Sequence, residues 1–98
     1  MNFNQLNKAF ESRIRLGIMA LLTVEDSMDY NALKDALAVT DGNLASHLKA
    51  LEKEAYIAVV KSFLGRKPHT RYYMTDSGRA AFEQHLKSLE AMLKFAQP

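Results

Sequence analysis

The sequence predicts a mainly α-helical domain that carries one small β-hairpin. Leu44, Leu48 and Leu51 recur at i, i+4, i+7, the sharpest helical periodicity in the chain. The pattern then changes: Ile57 to Leu64 is rich in β-branched and large apolar residues, and Gly65 ends it. After the hairpin, Phe82, Leu86, Leu89 and Leu93 follow the 4-3-4 spacing of a helix with a long apolar seam.

Each element follows from local signals. Phe3, Leu6 and Phe10 are spaced i, i+3, i+7 and predict a short amphipathic helix. Ser12 can cap a second helix whose buried stripe is Ile14, Ile18, Leu21 and Leu22, with Gly17 leaving room for a neighbouring helix. Thr23 to Asp29 is polar and breaks it. Asp29 is placed to cap Tyr30 to Leu37, with Leu33 and Leu37 facing inward. Ala38 and Val39 form a tight connection. Thr40 caps the next helix, about 41–54, with Asp41 in the first turn where a carboxylate complements the helix dipole. Ile57–Leu64 and Thr70–Thr75 then read as two strands joined by a long tip, Gly65-Arg66-Lys67-Pro68-His69. Thr75 caps a final helix, about 76–95, and Pro98 follows it.

Ninety-eight residues form one domain, 1–98, with no linker or repeat. The absence of cysteine removes disulfides, thiolate ligands and thiol chemistry. His47, His69 and His85 lack the close spacing of a zinc site, so neither a metal nor another cofactor is expected. No apolar run reaches the ~18 residues of a membrane span. The stretch Leu16–Val24 starts too far in for a signal peptide, and a cytoplasmic setting without membrane contact is expected. An enzyme is not expected either. Asp41, Ser46 and His47 hold triad residue types, but neighbours on a helix point about 100° apart and no third group orients the histidine.

The net charge of +2 is small, but its distribution is uneven: residues 1–39 carry −1, residues 40–73 carry +3, and the remainder is neutral. Lys61, Arg66, Lys67 and Arg71 occur with no acid among them, a footprint suited to phosphates, although a solvated hairpin tip can be basic without a partner. If the three leucines face inward, Thr40, Asn43, Ser46 and His47 project from the opposite side near the helix start. There Asn43 can pair with adenine, Ser46 and His47 with bases or phosphates, and, further along, Lys49 and Lys53 with the backbone of duplex DNA. The basic tip, about 64–71, adds Arg66, Lys67, His69 and Arg71. The last helix, about 30 Å long, exceeds what a small core can cover. A homodimer seam is expected there, built from Phe82, Leu86, Leu89 and Leu93 and joined by Phe3, Leu6 and Phe10; the alternative is a helix folded back on its own domain.

Two segments carry a family resemblance. Asn43-Leu44-Ala45-Ser46-His47-Leu48-Lys49-Ala50-Leu51-Glu52-Lys53, followed by Tyr56-Ile57, resembles the recognition helix of winged helix-turn-helix regulators of the MarR and ArsR kind. Arg71-Tyr72-Tyr73-Met74-Thr75-Asp76-Ser77-Gly78-Arg79 is similar to their second wing strand and its entry into the dimerisation helix. The resemblance spans essentially the whole chain. It implies transcription control by a symmetric dimer, with recognition helices in successive major grooves and wings on flanking DNA. A winged-helix module that binds protein is the alternative function, and no small-molecule effector can be named. Such families place glycine after the recognition helix, where this chain has Ala55. Alanine in a left-handed conformation costs on the order of 1 kcal/mol, so the helix is expected to end differently here while the fold survives. The metal-sensing ArsR members use cysteine or clustered histidine, which this chain lacks.

Overall fold

A computed structural model describes residues 3–97; Pro98 lies outside them. Four helices and a three-stranded sheet follow two short 3₁₀ turns, Phe3–Gln5 and Lys8–Phe10. The helices are α1 (Arg13–Val24), α2 (Tyr30–Leu37), α3 (Asp41–Lys53) and α4 (Asp76–Ala96). The strands are β1 (Met28–Asp29), β2 (Ile57–Leu64) and β3 (Lys67–Met74). All four caps read from the sequence are in place. Ser12 Oγ accepts from the Ile14 and Arg15 amides, Asp29 Oδ1 from Ala32, Thr40 Oγ1 from Asn43 and Thr75 Oγ1 from Gly78. Each removes an unpaired donor from a helix start.

The core is a cluster of Phe10, Ile18, Met19, Leu22, Leu33, Leu44, Leu48, Leu51, Ile57 and Phe82. α1 runs through its centre and packs against α2, α3 and β3. Gly17 makes the α1–α2 approach possible: a Cβ there would lie 2.5 Å from Leu37 Cδ2. Gly78 is tighter still, since a Cβ would overlap the Tyr56 carbonyl.

The N-terminal segment is not one amphipathic helix. The Asn7 side chain accepts from the Ala9 amide, and the Asn7 amide donates to His85 Nδ1 at 2.9 Å. These bonds replace a continuous helical ladder with two 3₁₀ turns. Phe10 consequently enters the core, with ring centroids 5.4 Å from Phe82 and 5.3 Å from Tyr56. Phe10 and Phe82 are therefore core residues of the single chain, and the expected seam does not include them.

The sheet order is β1-β3-β2, all antiparallel. β1 falls within the polar break, too short for alternation to reveal, and pairs Met28 with Tyr72 and Asp29 with Arg71. β2 and β3 remain paired up to Leu64 and Lys67, so the turn is only Gly65-Arg66 and not a long loop. Gly65 sits at φ 64, the left-handed conformation a short hairpin turn demands. Pro68 lies opposite Phe63, one step from the closing pair. Its missing N–H thus points away from β2, along an edge that β1 does not reach.

α3 ends as it would with glycine. Ala55 adopts φ 61, the Tyr56 amide reaches back to the Leu51 carbonyl at 3.1 Å, and the Ala55 amide to Glu52 at 2.9 Å. This is the Schellman pair of bonds. Thr75 Oγ1 also donates to the Ala55 carbonyl at 2.7 Å, and the Thr75 amide to Tyr56. The bonds offset the left-handed strain, so the expected different ending does not occur.

The molecule is long for its size. Its radius of gyration is 14.8 Å and its extents are 57 × 26 × 21 Å. A compact chain of this length has a radius near ~12.6 Å. No described helix is long and apolar enough to cross a membrane.

Candidate nucleic-acid interface

The buried leucines set the aim of every other α3 side chain. At about 100° per residue, the face opposite them carries Ser46 and Lys53, with Asn43 and Lys49 beside them. All four are exposed. Thr40 is exposed too, but its hydroxyl is committed to the cap. His47 falls on a flank that turns toward α1. It is half-buried, and its Nδ1 accepts from Arg15 Nε at 3.0 Å. Burial first, and then the Arg15 charge, lower its pKa and favour the neutral ring. With Nδ1 occupied, only Nε2–H remains for a ligand, which narrows the role expected for His47.

The start of α3 is pinned to α2. Tyr30 donates its phenol hydroxyl to the Asp41 carbonyl at 2.9 Å, and Lys34 Nζ pairs with Asp41 Oδ1 at 3.0 Å. These contacts fix the angle at which the helix end meets solvent.

Strand alternation decides which hairpin residues share that side. Lys61 and Thr70 are a cross-strand pair on the same sheet face as Val59 and Tyr72. These side chains and α3 enclose a groove of about 550 Å³, lined by Lys49, Glu52, Lys53, Lys61, Thr70 and Tyr72 among others. Three ammonium groups thus border one groove against a single carboxylate, Glu52. Lys53, expected from the sequence near the DNA backbone, and Lys61, expected in the basic cluster, stand with Lys49 on this one groove. Counting register back from Gly65 puts Lys61 on the Val59 side, facing α3.

The remaining basic residues divide. Arg66, in the turn, and Lys67 beside it are exposed. His69 is half-buried in a small recess with Asp29, Tyr30 and Asn31. Arg71 is half-buried, and two of its five N–H donors are committed within the chain. Its Nε donates to Ser27 Oγ and its Nη2 to the Ser27 carbonyl, both at 2.8 Å. It clamps the chain entering β1 to the root of the hairpin, an anchoring role for a residue expected to meet phosphate.

α4 presents a different surface. Gly78, Phe82, His85 and Ser88 face inward, while Leu86 is 44% and Leu93 65% exposed. Phe3 and Phe95 are exposed as well. Leu6 and Leu89 are half-buried and line an apolar groove of about 570 Å³ with Phe10, Leu16 and His85. His85 accepts from the Asn7 amide through Nδ1. Burial lowers its pKa, and Glu11 partly opposes the shift. Among the described residues no group of three or more His, Cys, Asp or Glu is placed to hold a metal.

The sequence profile of winged helix DNA-binding domains matches residues 14–93. The chain belongs to this family. A relative from Methanocaldococcus jannaschii, described only as uncharacterized, is 36% identical over 87 residues, covering 89% of this chain and 95% of its own. Among solved structures, a transcriptional regulator homologue from Pyrococcus horikoshii OT3 superposes with a TM-score of 0.81 at 29% identity, covering 98% of this chain and all of that one. A MarR-family transcriptional regulator from Silicibacter pomeroyi gives 0.62 at 19% identity, over 92% of this chain and 62% of that one; that likeness speaks for the fold. In winged helix terms, α3 stands at the position of the recognition helix and β2–β3 at that of the wing.

Proposed function

We propose that this winged helix protein binds duplex DNA sequence-specifically as a homodimer and thereby regulates transcription in the cytoplasm. α3 lies in a major groove, with Asn43 and Ser46 toward base edges and Thr40 and the Nε2 side of His47 near the adjoining backbone. Lys49, Lys53 and Lys61 meet phosphates from the shared groove, and Arg66 and Lys67 follow flanking DNA. The observation that carries this reading is the exposed polar start of α3 beside a lysine-bordered groove common to helix and hairpin. An asparagine there has the donor and acceptor that adenine requires, and clustered lysines supply the sequence-independent share of affinity. The exposed leucines of α4 support a second copy as the partner of that helix.

Selection of binding sites from random duplex DNA tests the proposal. The intact protein is expected to enrich one motif with two-fold symmetry, and Asn43→Ala to relax it at particular positions. Arg66→Ala with Lys67→Ala should weaken all sequences alike and reduce the slope of log K against log salt by about 0.9 for each phosphate no longer neutralised. Enrichment of no motif, with no salt-dependent binding, would instead favour a protein-binding module.

A further inference from the structure

The far end of the hairpin combines two properties. Phe63 is 71% and Leu64 63% exposed, side by side at the turn and beyond the reach of the core. Around them Lys61, Arg66 and Lys67 are cationic, and no acidic residue occurs from Ala55 to Thr75. Apolar side chains alone suit many partners; apolar side chains on a segment whose charges are all positive suit one whose surface is anionic and whose interior is apolar. A base-paired duplex has that construction, with phosphates outside and stacked bases within.

We propose that Phe63 is a wedge that enters the minor groove and partly unstacks one base step. This rests on the DNA-binding reading above. Phe63 lies on the sheet face of Lys61 and Thr70, which borders the groove shared with α3, whereas Leu64 shares the opposite face with Lys67. The ring therefore points to the side on which α3 meets DNA, and lies about 7 Å beyond Lys61 along the strand. A duplex that holds α3 in its major groove presents its minor groove across one phosphate strand. That groove is ~6 Å wide, and the hairpin narrows to a two-residue turn before reaching it. Arg66 and Lys67 flank the ring where the groove walls carry phosphate. Apolar side chains placed between base steps in this way kink a duplex by roughly 20–90°. Pyrimidine–purine steps, which unstack most readily, are the preferred point of entry. Phe63 thus adds sequence preference through deformability, at a position where it makes no base-edge hydrogen bond.

Tryptophan is absent from the chain, so Phe63→Trp installs a single reporter. The probe is the duplex recovered by site selection, or mixed-sequence duplex at low salt, end-labelled for energy transfer to report bending. Emission of the Phe63→Trp protein should be quenched on binding, by stacking. Phe63→Ala should bind at least tenfold more weakly to duplexes with a TA or CA step in the minor groove flanking the α3 site and leave them straight. Unaltered circular dichroism would establish that this exposed substitution leaves the fold intact. If the unsubstituted protein binds duplex but Phe63→Trp is unquenched and Phe63→Ala bends DNA equally, the wedge is wrong and the DNA reading stands. If the unsubstituted protein binds no duplex at low salt, both are wrong. A blue shift of the reporter on anionic phosphatidylserine vesicles, or on raising protein concentration without DNA, would replace the wedge by a membrane or self-association face.

Discussion

Helices α3 and α4 use leucine in opposite ways. In α3, Leu44, Leu48 and Leu51 are all buried and the exposed residues are polar or small. In α4, Leu86 and Leu93 face solvent while His85 and Ser88 are buried. Within one chain α3 satisfies its whole apolar demand, which leaves its other face polar and exposed. α4 closes its inner stripe with polar groups that have partners: His85 takes the Asn7 amide, and Ser88 donates to the Gln84 carbonyl. Leu86 and Leu93 are left exposed to solvent. An exposed polar face and an exposed apolar face thus mark different kinds of contact, and neither could be assigned from composition alone.

The contrast is broken most severely through α3. Leu48→Ala should cost about 3 kcal/mol, because a buried leucine leaves a cavity when truncated. Urea denaturation would show this as a lower midpoint with an unchanged slope. A loss under about 0.5 kcal/mol would mean that the α3 stripe contributes less than its burial indicates. The matching change in α4, Leu86→Asp with Leu93→Asp, should leave the domain folded and alter its mass in sedimentation instead. The unsubstituted chain is expected at twice 11.1 kDa and the variant at 11.1 kDa. An unsubstituted chain that sediments as a monomer removes the proposed seam.

The smallest effect concerns His85. Its pKa is lowered in the fold, so the unfolded chain binds its proton more readily. Stability is then complete above the ordinary histidine value of 6.5 and declines as pH falls through the lower folded value. His85→Asn keeps an acceptor near the Asn7 amide and cannot titrate in this range. Thermal melts between about pH 7 and 5 should therefore be flatter in the variant. They should not be wholly flat, since His47 is shifted in the same direction. Identical pH profiles would show that the Asn7–His85 bond does not govern acid sensitivity.

The same contrast explains what could be read in the sequence. Helix starts were legible because a capping side chain acts within three residues of itself, as at Ser12, Asp29, Thr40 and Thr75. The α3 face was legible because its pattern is fully apolar on one side. α4 was less so: Phe82 fits a 4-3-4 seam and an inward stripe equally well, and only the position of Phe10 decides between them. Arg71 looks like its basic neighbours until Ser27, distant in sequence, supplies two acceptors. Pairing up to Leu64 and Lys67 overrides the loop signals of Pro68 and His69, since a proline on an open edge forfeits no ladder bond. At Ala55 a rule of preference yields to local hydrogen bonds from Thr75 and Tyr56.

The clamp between Arg71 and Ser27 gives the hairpin a graded stiffness. Where β1 joins, the ribbon is three strands broad and is bolted to the body of the protein; past Arg71 it is a bare pair. A beam built this way holds its bearing at the base and yields at its free end. The base preserves the angle between ribbon and α3, while the last few residues can follow a surface whose width varies from one sequence to the next.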